Sequence, residues 1–149
     1  MPELEIHTLT KENEAIARAI ILEGFLERFG FIDHSFNPDL KDLVNSYTKD
    51  GCVFFTGAHH GDIVCTGALQ KETNETVRIA RMSVKKEWRQ RGFAKIMIKH
   101  LEQKAKQSGY KNIVLETNRS WESAICFYKK VGYQIEHIDE SQCHFYKKI

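Results

Sequence analysis

Residues 84–95, which read Val-Lys-Lys-Glu-Trp-Arg-Gln-Arg-Gly-Phe-Ala-Lys, constrain this chain more than any other stretch. Before them, residues 76–84 read as a strand. After them, Ala94, Met97, Ile98, Leu101 and Ala105 recur at helical spacing opposite Lys95, Lys99, Glu102 and Lys106. A long amphipathic helix is therefore expected from Gly92 to about Ser108, closed by Gly109. The first four N–H groups of such a helix are unpaired and sit at its positive end, so a turn that aims them outward forms an anion site. Gly92 lets the backbone approach an anion closely, Ala94 is small for the same reason, and Arg89, Arg91 and Lys95 add charge. A pyrophosphate is the natural occupant. The spacing is neither G-x-x-x-x-G-K-[ST] nor a dinucleotide fingerprint, which would need Gly at 94 and 97 as well as 92. Taken alone, a solvated Arg-rich turn entering a helix at Gly92 accounts for the same residues.

The remaining elements follow from periodicity and turn residues. Residues 4–9 alternate as a first strand, and Thr10 then caps a helix whose Ala15, Ala19, Leu22, Leu26 and Phe29 fall at helical spacing, with Gly30 as its stop. Pro38 and Asp39 open a second short helix carrying Leu40, Leu43, Val44 and Tyr47, ended near the Asp50-Gly51 turn. Residues 52–58 and 62–70 read as strands joined by a hairpin at His59-His60-Gly61, a turn rather than a metal site because no third ligand stands at a usable spacing. Residues 113–117 form a short apolar strand, 120–131 a helix stopped by Gly132, and 133–138 and 143–147 two closing strands. The order β-α-α-β-β-β-α-β-α-β-β is that of a mixed α/β fold, with residues 1–149 as one domain.

Composition removes several classes. A net charge of +2 is too small for nucleic-acid binding by counterion release, and no apolar run approaches the roughly 20 residues of a membrane span. The N-terminus lacks the basic start and apolar core of a secretory signal. The 4 cysteines, Cys52, Cys65, Cys126 and Cys143, form no CxxC pair and are expected as buried thiols in a reducing compartment, without a metal. A cytoplasmic protein is the expectation.

Arg89-x-x-Gly92-x-Ala94, following the strand Arg78-Ile-Ala-Arg-Met-Ser-Val84, resembles the acetyl-CoA motif [RQ]-x-x-G-x-[GA] of the GNAT superfamily of N-acetyltransferases. Leu115-Glu-Thr-Asn118, followed by Ala124-Ile-Cys-Phe-Tyr128-Lys-Lys-Val-Gly132-Tyr133, is similar to the second half of that family's pattern. The resemblance spans the chain and implies a central mixed, mostly antiparallel splayed sheet of about seven strands with about four helices. It also implies acetyl-CoA as cosubstrate, with no metal, and acetyl transfer to a primary amine of a small molecule by direct attack in a ternary complex. A protein N-terminal or lysine acetyltransferase and a non-catalytic acyl-CoA-binding module share the same core and stay open. The implied partners are acetyl-CoA and a small amine, with a homodimer allowed and neither nucleic acid nor membrane.

Residue by residue, the resemblance assigns the pyrophosphate to Arg89, Gln90, Arg91, Gly92, Phe93, Ala94 and Lys95. It assigns the pantetheine arm to the edge carrying Met82 and Val84, two residues apart on one side of the strand. The Met82 N–H would hold the thioester oxygen as charge develops. Tyr128 would donate to the departing thiolate, and Asn118 would bond the pantetheine or, on its own residue chemistry, cap the next helix. An alkyl ammonium is only about a thousandth neutral at pH 7, a disadvantage of roughly 4 kcal/mol, so a base is needed. Glu116 is the candidate, either as that base or as a carboxylate bonded to neighbouring backbone or to Arg81. Residues 29–36, aromatic and poor in acid, favour an apolar or aromatic amine over a polyamine.

Overall fold

The computed structural model describes residues 3–29 and 38–149. Its strands are β1 (Glu5–Thr8), β2 (Cys52–His59), β3 (Asp62–Lys71), β4 (Thr76–Val84), β5 (Asn112–Asn118), β6 (Gln134–Ile138) and β7 (Gln142–Lys148). Its helices are α1 (Glu14–Phe29), α2 (Leu43–Ser46), α3 (Phe93–Gln107) and α4 (Glu122–Lys130), with short 3-10 turns at Pro38–Lys41 and Lys86–Trp88. One seven-stranded sheet runs in the order β1-β2-β3-β4-β5-β7-β6. All neighbours are antiparallel except β4 and β5, which the α3 crossover makes parallel. The predicted fold class and element order are therefore observed. The expected Gly30 stop and the connection from 30 to 36 lie outside the described residues.

Each strand divides its side chains between the two faces. On one face α3 and α4 cover Phe55, Val64, Val77, Ile79, Ile113, Leu115 and Phe145, meeting them with Phe93, Met97, Ile98 and Leu101. On the other, α1 and α2 set Ala17, Ile21, Leu43 and Tyr47 against Phe54 and Ala68. Each large side chain buried this way contributes roughly 1.5–3 kcal/mol. The α3 stripe is as expected. The α1 stripe is not: Ala17, Ile20 and Ile21 are buried, whereas Ala15, Ala19 and Leu26 are exposed. The helix carries apolar residues nearly all round, so two stripes compete at the same spacing, and only the sheet selects between them. The second predicted helix divides into a 3-10 turn and α2, and Leu40, Leu43 and Tyr47 still point inward.

Turn geometry follows the residues. The β2–β3 hairpin closes on His60 and Gly61, both with positive φ (50° and 86°), as a two-residue turn matched to strand twist requires. All four cysteines are free; Cys65 and Cys143 are buried as expected, but Cys52 is half-buried and Cys126 exposed on the outer side of α4. Burial pushes the Cys65 thiol up to about 12. Among the described residues no helix is long and apolar enough to cross a membrane.

A β-bulge interrupts β4. The β3–β4 register jumps from Thr66↔Ser83 to Ala68↔Ala80, and Arg81 takes a left-handed φ of 54°. The Thr66 hydroxyl, fully buried, donates to the Arg81 carbonyl at 2.7 Å and fixes the distortion. Opposite, Gly67 leaves space that the Met82 thioether fills: a Cβ there would stand 2.8 Å from Met97 Cγ and 3.0 Å from Met82 Sδ. Gly67→Ala is accordingly expected to lower the stability of the folded chain by about 1–3 kcal/mol, because buried Met97 must shift in a close-packed core. Chemical denaturation of a folded, monodisperse variant checks this, and an unchanged midpoint would contradict the packing described.

Candidate functional site

The parallel ladder between β4 and β5 contains only Thr76↔Asn112, Val77↔Ile113 and Arg78↔Val114. Beyond Arg78 the two strands diverge, and a cavity of about 510 Å³ opens between them. Its walls bring together Arg89, Gln90, Gly92, Phe93, Ala94 and Lys95 from the turn, Met82 and Val84 from β4, Glu116 from β5 and Tyr128 from α4. Ten of the candidate residues, spread over about fifty positions of sequence, thus line one volume. Arg91 and Asn118 are not among its lining residues.

The turn is built to present amides. Gln90 and Gly92 have φ of 61° and 88°, flanking Arg91 with left-handed residues, an arrangement that forms anion-binding concavities. Gly92 is the N-cap of α3 and has no side chain to satisfy the first amides. Arg89 is engaged elsewhere: its Nε donates to the Val84 carbonyl at 3.0 Å and its Nη1 pairs with Glu27 at 2.6 Å. It braces the turn against β4 and α1. The Arg91 guanidinium lies 4.8 Å from the centre of the Trp88 ring, and Lys95 is exposed at the helix end.

Tyr128 is buried, with Phe127, Tyr133 and Phe145 rings 5.1–5.9 Å from its own. Packing of this kind fixes the direction of the side chain. Thr117, also buried, has a hydroxyl without a hydrogen-bond partner among the described residues, and it lines the cavity. An orphaned buried hydroxyl costs stability unless a ligand meets it. Asn118 Oδ1 accepts from the Ser120 amide at 3.0 Å and the Ser120 hydroxyl at 2.6 Å, organising the turn into α4.

Glu116 points to the face opposite α3. Its carboxylate is ion-paired with Arg78, not with Arg81. The register gives the reason: Arg78 opposes Val114, so Glu116, two residues on, shares its face, while the bulge turns Arg81 away. Arg81 instead meets Asp39 through Nη2 at 2.5 Å and Nε at 2.9 Å, and the Tyr47 hydroxyl donates to the same carboxylate at 2.9 Å. Burial works to lower the Arg81 pKa, but the hydrogen bonds and charge of Asp39 outweigh it and the net shift is upward. Tyr47 is pushed well above its ordinary value, by burial first and by the Asp39 charge second. On the neighbouring strand His144 stands with Nδ1 3.8 Å from Glu116 Oε2 and Nε2 2.7 Å from Asp139 Oδ2.

Several wall residues were assigned no role from the sequence. Phe25 from α1, Trp121 from the N-terminal end of α4, and Phe127 add aromatic surface, and Thr117 adds its hydroxyl. Thr117 was accessible to sequence reasoning, since it lies between two candidate residues in Leu115-Glu-Thr-Asn118. Phe25 and Trp121 carry no local signal; folding alone brings them there.

The model of the Acetyltransferase (GNAT) family matches residues 18–133, which run from α1 to the residue before β6. Among curated proteins, N-acetyltransferase 8 of Rattus norvegicus is 29% identical over 110 residues, covering 70% of this chain and 50% of that protein. The chain spans about half the length of the curated relatives it matches first. Among solved structures, an acetyltransferase of the GNAT family from Staphylococcus aureus Mu50 superimposes with a TM-score of 0.87 at 21% identity, covering 98% of this chain and 99% of that one. The PaiA N-acetyltransferase of Thermoplasma acidophilum, solved in complex with coenzyme A, superimposes with a TM-score of 0.83 at 18% identity and covers 99% of each chain. With the family model matched over most of its length and its fold shared with these structures, the chain belongs to the GNAT family of acetyltransferases.

Proposed function

We propose that this chain transfers the acetyl group of acetyl-CoA to a primary amine of a small molecule, by direct attack in a ternary complex. The observation that carries the reading is the single cavity that joins the amide-rich end of α3 to Met82, Tyr128 and Glu116. Acetyl-CoA supplies an activated thioester; the remaining work falls to residues of the chain. The amides of residues 92–95 and the charge of Lys95 hold the pyrophosphate. The β4 edge carrying Met82 and Val84, left without a β5 partner, pairs with the amides of the pantetheine, and the Thr117 hydroxyl gains a partner there. Arg89 acts by bracing the turn rather than by contacting phosphate.

For the transfer itself, the Met82 N–H stabilises the oxygen that gains charge when the amine adds to the acetyl carbon. Glu116, held in place by Arg78, takes the proton from the amine directly or through one water. Tyr128 donates a hydrogen bond to the sulfur as the C–S bond breaks. A Tyr of ordinary pKa near 10 and a thiol near 8.5 differ by about 2 kcal/mol, so a strong hydrogen bond suffices without full proton transfer. Phe25, Trp121 and Phe127 on the cavity wall support an apolar or aromatic acceptor.

Thiol release from acetyl-CoA across a panel of small amines and a panel of peptides tests the acceptor class: turnover is expected with amines, and release with peptides alone overturns the proposal. Calorimetry should show acetyl-CoA affinity falling at least ten-fold in Gly92→Glu, whose carboxylate would sit at the phosphate position; unchanged affinity in a folded variant removes the phosphate site. In the thiol-release assay Tyr128→Phe should lower kcat about ten-fold or more, equivalent to roughly 1.4 kcal/mol of lost transition-state stabilisation, with acetyl-CoA affinity retained. Glu116→Gln should likewise lower kcat/KM for the amine without weakening acetyl-CoA, and a rate equal to wild type would leave deprotonation to solvent.

A further inference from the structure

We propose that the end of the β6–β7 hairpin is a binding site for a divalent transition-metal ion, zinc by its donor chemistry, held by His137, Asp139 and His144. One ligand atom from each of these residues lies within 4.8 Å of the other two. Tetrahedral zinc with ligands at about 2.0–2.1 Å holds them about 3.3 Å apart, so modest side-chain rotation closes the set. Two imidazoles and a carboxylate suit zinc better than the hard cations, which prefer oxygen alone.

The backbone sets this arrangement up. The β6–β7 register runs from Ile135↔Phe145 to His137↔His144, with the extra residue Glu136 between them. Without that bulge Glu136 would oppose His144 and His137 would turn toward the other face. With it, the two imidazoles stand on one face, 4.2 Å between centres; their planes are 12° from parallel, so one ring turns out of the stack for both lone pairs to converge on an ion. The third ligand is equally prepared. Asp139 Oδ1 accepts from the amides of Gln142 at 2.6 Å and Ser141 at 2.9 Å, which leaves Oδ2 aimed at His144 Nε2, 2.7 Å away.

A carboxylate also stands behind one of the ligands. Coordination through Nε2 places the remaining ring proton of His144 on Nδ1, which faces Glu116 Oε2 at 3.8 Å. Such a group behind a ligating imidazole is the arrangement that orients metal-binding histidines. His137 and Asp139 are exposed, so the ion is reached from solvent and micromolar rather than nanomolar affinity is expected. The bound ion would clip β6, a five-residue edge strand with only Ile135 partly buried, to β7 beside the cavity wall.

Zinc chloride titrated into the full chain in a non-coordinating buffer, by calorimetry, should show one site of micromolar affinity, and the thermal midpoint should rise with zinc concentration. His137→Ala and His144→Ala should each weaken that site by ten-fold or more and abolish the thermal shift. His137→Ala lies outside the cavity, so unchanged acetyl-CoA binding in this variant shows that its fold is intact. Absence of zinc binding at millimolar concentration, or binding that survives both substitutions, overturns the proposal.

Discussion

Only three residue pairs join β4 to β5, and the position at which that ladder stops decides everything else about the site. Two parallel strands connected by a packed helix would ordinarily continue side by side. Here β4 is bent out of the ladder by the bulge at Arg81. A non-glycine residue in the left-handed region costs of order 1–3 kcal/mol and persists only where its surroundings over-determine it. They do: the Thr66 hydroxyl holds the Arg81 carbonyl, Asp39 holds the guanidinium, and Gly67 vacates the space that Met82 enters. Just past the fork, the Arg78–Glu116 ion pair ties the two strands together across the opening. It marks where sheet ends and cavity begins.

These constraints explain which parts were legible in sequence. The α3 helix could be read to within a residue, because Lys95, Lys99, Glu102 and Lys106 leave one apolar stripe and glycines mark both ends. The α1 helix could be placed but not oriented, since apolar residues at 15, 16, 17, 19, 20, 21 and 22 satisfy more than one stripe and the sheet face decides. The cavity wall was readable where neighbours in sequence remain neighbours in space, as in the turn at 89–95 and the pair Met82 and Val84. It was not readable where partners are distant: Arg81 and Asp39 stand 42 residues apart, Arg78 and Glu116 38, and Arg89 and Glu27 62. No local pattern distinguishes an arginine that will meet an anion from one that will brace a loop.

Arg89 shows what that ambiguity conceals. Its position in a phosphate-binding pattern suggests a ligand contact, yet its Nε holds the carbonyl of Val84, the last residue of β4, and Nη1 reaches α1. A turn with left-handed residues at Gln90 and Gly92 would sample other shapes unless fixed at its base. The guanidinium suits this task because it donates in two directions from one plane. On the proposed reading the turn holds its anion mainly through pre-oriented amides, which a charge-based reading of the sequence undervalues.

The splay also resolves a problem that any sheet-based site of this kind faces. Residues alternate along β5, so Leu115 and Thr117 point to the α3 side while Glu116 points to the face on which Arg78 and His144 stand. In a closed sheet those two sets could never contact one molecule, because the backbone ladder would lie between them. Where the strands part there is no ladder, and Tyr128 from the α4 side and Glu116 from the other face line the same volume. On the proposed reading, a thioester and an amine approaching from opposite faces then meet through the sheet rather than around it. The three-pair ladder is long enough to hold the two halves of the fold together and short enough to leave that passage open.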